Sequence, residues 1–269
     1  MNLIQRFTSG FSLLMFTQGF LACPSAMAVA RDSESEKIAA DLANPLAPIT
    51  TLTVQERVDF GNGPSNNVNV QTRLQPSVFK PLSAKEAFLM RSIFPVRFNK
   101  WPTDEAGLGD ITLVPYFVPD ITQTTFAGYG AALTIPTATA QALGSGKWSG
   151  GPAALVAVTG QPITWGGLVQ QVWSFAGSNN RGDVNVSTVQ PFFTCVLKKG
   201  WAVAINSEST YNWLASSDPW TIPVTVGVSK VVNFSGRYVN FSVAPVYYAE
   251  RPDYAPRGEL RLNAVYVFR

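Results

Sequence analysis

Polar and apolar residues alternate along NNVNVQTRLQPSVF, the stretch at residues 66–79. From Asn67 to Ser77 every second residue is polar, and the residues between them are almost all apolar. Side chains of a β-strand point alternately to its two faces. The stretch therefore predicts a strand with one wet face and one apolar face.

The same alternation recurs in segments of about ten residues, separated by Gly, Pro, Asn and Asp. From Thr50 onward no stretch shows a convincing helical period. The pattern predicts twelve strands, near residues 50–59, 67–79, 87–98, 108–117, 125–135, 149–159, 164–175, 184–197, 201–211, 220–229, 237–248 and 259–268.

The low charge content bears on what the apolar faces contact. Charged residues make up 14% of the chain, against roughly 25% in an ordinary soluble domain. A soluble β-sandwich also alternates, and a soluble secreted β-protein is the alternative, but its outside would need a polar coat. A charge at the bilayer midplane costs about 2–4 kcal/mol. The shortage of charge therefore favours apolar faces in lipid and polar faces around a lumen.

Tryptophan positions support the same prediction. All seven tryptophans lie near the ends of predicted strands, and tryptophan prefers the membrane–water interface. With two aromatic residues of the last strand, the predicted interface girdle comprises Trp101, Trp148, Trp165, Trp173, Trp201, Trp213, Trp220, Tyr266 and Phe268.

The connections between strands alternate in length if Phe268 lies on the periplasmic side. Short turns, at residues 160–162 and 198–200, then lie on the periplasmic side, and longer loops, at 136–148, 176–183 and 249–258, lie on the external side. This asymmetry is typical of bacterial outer-membrane barrels, which also leave no unpaired strand edge in lipid. The predicted fold class is all-β, a transmembrane up-and-down antiparallel β-barrel of about 12 strands in the outer membrane of a Gram-negative bacterium.

The N-terminus has the layout of a secretory signal peptide. Arg6 precedes an apolar stretch at 11–22, and a small-x-small site, AMA, ends at Ala28. The sequence predicts a signal peptide at 1–28, a periplasmic tether at 29–49 and the barrel at 50–269. Two alternatives remain, a lipoprotein signal with Cys23 as the lipidated residue and a functional plug in place of the tether.

Composition limits the cofactors and partners. The chain has no histidine and two cysteines, Cys23 and Cys195. If Cys23 leaves with the signal peptide, Cys195 stands alone, so no internal disulfide, no His/Cys metal site and no cofactor are predicted. The net charge is +3 with no long basic run, which predicts no nucleic-acid partner. Outer-membrane lipid and a small-molecule solute are the predicted partners of a monomeric barrel.

Several segments resemble a known family. They are GLGD at 107–110, TIPTATAQALGSGKWSGGP at 134–152, WSFAG at 173–177, QPF at 190–192, SESTYNW at 207–213 and GVSKVV at 227–232. Together they resemble bacterial outer-membrane proteins catalogued as transporters or under a meta-pathway of phenol degradation. The resemblance spans about residues 44–268 and implies an outer-membrane barrel. One departure is that Arg269 follows Phe268, whereas many such barrels end on an aromatic residue.

Charged and polar side chains at strand centres are the candidate lumen residues. They are Asn69, Gln71, Arg73, Arg91, Arg97, Asp110, Glu208 and Arg261. One interpretation is a charged constriction that selects solutes, and the other is a salt-bridged network that fills a narrow lumen. The predicted function is a passive channel or transporter for small solutes, aromatic compounds among them. The alternative is a non-transporting structural or surface-interaction barrel with a plugged lumen.

Two short motifs suggest other functions. Ser207, Glu208 and Ser209 invite comparison with a serine hydrolase, but serine catalysis usually needs a histidine base and the chain has none. Alternation also places Glu208 on the opposite face from both serines, so the chain is predicted not to be an enzyme. The tripeptide RGD, residues 181–183, falls on a predicted outer loop and matches an adhesion motif that recurs by chance.

Overall fold

The computed structural model describes residues 33–121 and 124–268. Its strands form one antiparallel sheet that closes on itself where the first strand pairs with the last, from Thr50 opposite Phe268 to Phe60 opposite Gly258. The predicted fold class is thereby confirmed as a closed all-β barrel of twelve strands with two additional short strands. Among the described residues no helix has the length and hydropathy needed to cross a membrane. The predicted signal peptide lies outside the described residues.

Fourteen strands and one α-helix make up the described chain. The helix is α1 (Ser33–Ala43), and the strands are β1 (Thr50–Asn62), β2 (Asn67–Pro81), β3 (Ala87–Asn99), β4 (Glu105–Leu108), β5 (Ile111–Val118), β6 (Thr125–Ile135), β7 (Lys147–Gly160), β8 (Ile163–Gly177), β9 (Asn185–Val196), β10 (Trp201–Asn206), β11 (Ser209–Asn212), β12 (Trp220–Phe234), β13 (Arg237–Glu250) and β14 (Gly258–Phe268).

The two additional strands correct the predicted boundaries. The strand predicted at 108–117 begins only at Ile111, because Gly109 and Asp110 connect it to β4, which pairs separately with β3. Asp110 therefore lies in the two-residue interruption between β4 and β5, not on a strand. The strand predicted at 201–211 divides into β10 and β11 opposite Pro191, whose ring nitrogen has no proton to donate to the ladder.

The two ends of the barrel differ in their connections. Strand β1 begins and β14 ends at the same end, here named the terminus end, where the connections include 161–162, 197–200 and 235–236. The opposite end, named the loop end, carries longer connections, including 136–146, 178–184 and 251–257. This arrangement agrees with the predicted alternation of short turns and longer loops.

Helix α1 lies across the terminus end. Its Ile38, only 1% exposed, packs with Val231, Tyr238 and Val267 of the inner wall. The backbone N–H of Lys199, in the turn before β10, donates to the Glu36 carboxylate at 2.8 Å. The described part of the segment predicted as a free tether is therefore folded onto the barrel, because its apolar side chains can be buried there.

One half of the interior is a dry apolar core. Leu46, which follows α1 and is fully buried, packs among lumen-facing side chains of β3 and of β5 to β8. Gly128 permits this close approach, since a Cβ there would lie 3.1 Å from Leu46 Cδ2. The core residues around Leu46 are Ala87, Leu89, Val114, Tyr116, Val118, Phe126, Ala132, Ala153, Leu155, Ala157 and Leu168.

The outer face is almost entirely apolar. Exposed large apolar side chains on it include Val54, Leu74, Val169, Val226 and Leu262. A charge interrupts this surface where Glu56 shares the outer face of β1 with Val54 and accepts a hydrogen bond of 2.6 Å from Thr72 Oγ1. A surface of this kind suits hydrocarbon contact, since it carries few groups that need water.

Cys195 bears on the predicted signal peptide. It lies near the end of β9 and is disulfide-bonded in the structure. The prediction that Cys195 stands alone applies to a chain cleaved after Ala28, and residues 1–28 lie outside the described residues. It therefore stays a prediction for the cleaved chain.

Candidate functional site

Four charged side chains form an alternating cluster in the other half of the interior. Arg57 of β1 contacts Glu259 of β14 at 2.7 Å and Glu208 at 3.6 Å. Arg261 contacts Glu259 at 2.5 Å and Glu208 at 3.3 Å. Each arginine thus pairs with both glutamates, and Glu208 reaches from the break between β10 and β11 towards β1 and β14. We name these four residues the central ion-pair cluster.

Neutral groups support this cluster. Tyr248 Oη donates to Glu259 at 2.8 Å, which satisfies a carboxylate with a fully buried side chain. Towards the terminus end, Gln55 Nε2 donates to Asn263 Oδ1 at 2.8 Å, and Asn263 Nδ2 donates to Ser242 Oγ at 2.7 Å. Buried charges persist when such partners are present. The charged half of the interior is therefore a connected polar network.

The remaining predicted lumen arginines are not neutralised in the same way. Within the described residues, no carboxylate forms an ion pair with Arg73, Arg91 or Arg97. Arg73 Nε donates at 2.5 Å to Oε1 of Gln71, another predicted lumen residue. The lumen therefore presents positive side chains that pair with no carboxylate of residues 33–121 and 124–268.

Asn69 has a structural task instead. Its Oδ1 accepts from the backbone N–H groups of Lys100 at 2.7 Å and Trp101 at 3.1 Å, and its Nδ2 donates to the Trp101 carbonyl at 2.9 Å. All these contacts hold the connection that follows β3. Asn69 is therefore a brace for a loop rather than a free lumen-lining group.

Three cavities lie inside the barrel. A terminus-end cavity of about 270 Å³ lies between residues 42–49 and the wall, and a central cavity of about 250 Å³ includes Glu208 and Arg261. Gln75, Arg91 and Asn240 line both of them. A loop-end cavity of about 280 Å³ includes Arg97 and Asp110 and lies against β3, β5, β6 and β7. The interior is thus hollow in the charged half and at the loop end, and filled around Leu46.

Residues 136–146, here named the folded-in loop, cover the loop-end cavity. Asp110 Oδ2 accepts from the Ser145 N–H at 2.6 Å and from Ser145 Oγ at 2.7 Å, while Asp110 Oδ1 accepts from the Ala138 N–H at 3.2 Å. Leu143 of this loop is fully buried. Asp110 therefore organises the loop, and its carboxylate is largely occupied in doing so.

The neighbouring loop 178–184 secures the folded-in loop. Arg181 donates to the carbonyls of Gly144 and Ser145, the latter at 3.0 Å. Lys147 Nζ lies 3.0 Å from the Asp183 carboxylate, and this hydrogen bond, with a second from Ser174, lowers the pKa of Asp183. Both charged side chains of the RGD tripeptide are therefore engaged in contacts with other residues of this chain at the loop end.

The predicted aromatic girdle divides between the two ends. Trp165 and Trp201 are exposed near the terminus end with Phe268, next to which Tyr266 packs at 4.8 Å between ring centroids. Near the loop end the exposed members are Trp148, Trp173, Trp213 and Trp220. Trp101 differs, because it is half-buried against Gly63 and the ring of Tyr254. The interface role of the exposed rings stays a prediction.

Sequence reasoning missed several residues of this site. Arg57, Gln55 and Glu259 face the lumen beside the predicted Arg261, and Ser149 lines the loop-end cavity. The spacing of Gln55, Arg57 and Asp59 was a signal for β1, since alternate positions share a face. No pattern pointed to Ser149, because its place depends on how a loop folds.

Solved structures of similar shape are outer-membrane proteins. An outer membrane channel from Pseudomonas putida F1 matches with a TM-score of 0.63 at 16% identity, covering 82% of this chain and 96% of that one. The NanC porin matches with a TM-score of 0.53 at 9% identity, covering 82% and 99%. No protein-family model matches the chain, and no curated protein sequence does either.

One finding corrects the prediction that the chain is not an enzyme. The outer membrane phospholipase of Salmonella typhi matches with a TM-score of 0.45 at 9% identity, covering 86% of this chain and 98% of that one. Barrels that carry an enzyme therefore occur among the similar structures, and the prediction is withdrawn. Ser207 and Ser209 lie with their Oγ atoms 2.7 Å apart. At these identities the likeness establishes the fold, which is that of outer-membrane channels and porins.

Proposed function

We propose that this protein is an outer-membrane channel through which small solutes diffuse passively, with anions favoured over cations. The three cavities inside the barrel, two of which adjoin one another in the charged half, carry this proposal. A lumen that was only a filled salt-bridge network would leave no such spaces. The mechanism needs no energy source, because a solute moves down its own gradient between polar walls.

The preference for anions follows from the charges around these cavities. Around the terminus-end and central cavities, four lumen arginines, Arg57, Arg73, Arg91 and Arg261, face three lumen carboxylates, Asp59, Glu208 and Glu259. Arg73 and Arg91 have no ion pair among the described residues, whereas Glu208 and Glu259 are both paired. Low-dielectric walls focus such a field and raise the local concentration of anions.

The finer parts of the proposal come from the sequence. The motif resemblance supports membership of the transporter-like family and aromatic compounds among the solutes. The apolar outer face supports outer-membrane lipid as a partner, and we propose a monomer in the outer membrane of a Gram-negative bacterium. The proposed mature chain begins after Ala28, and its segment 29–49 includes the docked helix α1.

A second candidate is a barrel whose lumen stays closed. The position of α1 favours it, since Ile38 packs against the inner wall at the terminus end and Leu42 lines the adjoining cavity. Such a protein would serve as a structural or surface-interaction element. The two candidates differ in whether ions pass when α1 is in place.

Conductance in planar lipid bilayers separates the candidates. Purified full-length protein, with its fold verified by heat-modified migration on gels, is expected to give discrete current steps and an anion-selective reversal potential in a KCl gradient. A correctly folded barrel that carries no current would overturn the channel proposal and favour the closed barrel. Swelling of vesicles in phenol compared with a sugar of similar size would test the aromatic preference.

A further inference from the structure

We propose that the loop-end cavity is a binding site for the carboxylate of a small organic monoacid, held by Arg97 and Ser149. This inference deepens the proposed channel function and rests on it. It names where a solute pauses and which chemical group is recognised there. The site combines two unsatisfied donors, a nearby negative charge and a space of small-molecule size.

The first observation is a guanidinium with an unused donor. Arg97 of β3 lines the cavity, and its Nε is buried with no hydrogen-bond partner among the described residues. It lies close to Gly109, where an added Cβ would be 3.1 Å from Arg97 Nε. An N–H of this kind is costly to leave unpaired, and a carboxylate oxygen satisfies it with a charge-assisted bond.

The second observation is independent of the arginine. Ser149, at the start of β7, is 1% exposed, and its Oγ also has no partner in the described part of the chain. It lines the same cavity from a different strand. A buried hydroxyl without a partner is uncommon in folded proteins. Two orphaned donors on one cavity indicate a ligand that brings hydrogen-bond acceptors.

Asp110 limits the charge that the ligand can carry. Its carboxylate lines the cavity too and already accepts three hydrogen bonds from the folded-in loop. A second negative charge close by is repelled in a space of low dielectric constant. A monoanion meets Arg97 with the least repulsion from Asp110, whereas a dianion such as phosphate does not.

The dimensions and remaining walls fit a small molecule. The cavity measures about 280 Å³, and Ala142 and Val184 add apolar surface beside Thr112 and Thr134. The lining is therefore polar at Arg97 and Ser149 and partly apolar elsewhere. Benzoate is a suitable probe because it combines one carboxylate with a compact apolar body.

Calorimetric titration of the detergent-solubilised full chain tests the site without requiring conduction. Sodium benzoate is expected to bind with a stoichiometry of one, and Arg97→Gln is expected to weaken it by about tenfold or more. Arg91→Gln is the matched control, since it removes an equal charge from the other two cavities and is expected to leave benzoate affinity unchanged. Benzamide, with the same ring and no charge, is expected to bind at least about tenfold more weakly than benzoate.

Ser149→Ala keeps the test decisive if Arg97→Gln fails to fold. Because Ser149 Oγ bonds to nothing in the described chain, its removal is expected to leave thermal stability unchanged while lowering benzoate affinity several-fold. Equal affinity in the wild type and both variants would overturn the site, as would equal binding of phosphate or benzamide. A barrel that binds benzoate through Arg97 but carries no current would instead overturn the channel function.

Discussion

The two halves of the interior are lined largely by different strands and differ in how they are packed. Around Leu46, inward side chains of β3 and of β5 to β8 form a buried core of mainly small or aliphatic residues. Around Glu208, the wall formed by β1 and by β10 to β14 holds cavities and the central ion-pair cluster. The first half supplies packing, as a soluble core does, and the second leaves space. A narrow barrel can thus obtain a core without filling its whole lumen.

The largest expected effect comes from truncating the packed half. Leu155→Ala removes a fully buried side chain next to Leu46 and should cost about 2–5 kcal/mol of unfolding free energy, since a cavity remains. Gln75→Ala, which enlarges a space that is already open, should cost about 0.5 kcal/mol or less. Urea unfolding of the two variants from lipid vesicles, followed by tryptophan fluorescence, compares their unfolding free energies. Similar losses in both variants would remove the distinction between the halves.

Helix α1 covers the terminus end of the barrel, and a substitution in it can test whether it narrows the path through the lumen. Ile38→Asp places a carboxylate against Val231 and Tyr238, and the helix should leave its site because a buried unpaired charge is costly. Single-channel conductance should then rise by about twofold. The control is Lys37→Asp, an exposed position of the same helix. Unchanged conductance in Ile38→Asp would mean that α1 does not narrow the path.

The charged half should respond to single charges with little change in stability. Glu208→Gln removes a carboxylate that is about one-third exposed, leaving Arg57 and Arg261 with Glu259 alone. Anion preference, read from the reversal potential in a KCl gradient, should rise about twofold. Gln190→Glu, on the wall of the same cavity, should shift the potential in the opposite direction. Shifts of the same sign in both variants would contradict an electrostatic filter.

The smallest effect concerns the loop end and pH. The hydrogen bond from Lys147 lowers the pKa of Asp183 below its usual 3.8. Because the pKa of Asp183 is lower in the folded state than in the unfolded state, its contact with Lys147 stabilises the loop at pH values above the unfolded-state pKa. This stabilisation is lost as the pH falls through the folded-state pKa. Carboxyl carbon NMR should therefore show Asp183 titrating below 3.8. Lys147→Met should return the pKa towards 3.8, and an unaltered titration there would assign the shift to other groups.

The fold followed from the sequence more completely than the site did. Alternation placed the strands because lipid and lumen impose opposite polarity on successive side chains, as in β2 and β14. Alternation could not anticipate the interruption of the strand at Ser207 and Glu208, which arises from Pro191 on the neighbouring strand. Nor could it anticipate the role of Asp110, whose three bonds to the folded-in loop depend on contacts between distant segments.

The packed half of the interior was not predicted from the sequence. The apolar inward residues of β5 to β7, such as Tyr116 and Leu155, break the rule that lumen faces are polar. They do so because Leu46 brings its own apolar surface into the barrel. A short polar-looking segment before the first strand gives no local sign of that role, so sequence reasoning assigned it to the periplasm.

Leu46 also ties the segment before β1 to one arc of the wall. Its side chain is enclosed by five strands, β3 and β5 to β8, that follow one another in the sheet, whereas the sheet is sealed elsewhere by eleven residue pairs between β1 and β14. These contacts do not depend on the seam, and the segment can reach them through the terminus end of the cylinder. During biogenesis, docking of the segment and closure of the cylinder can therefore occur in either order.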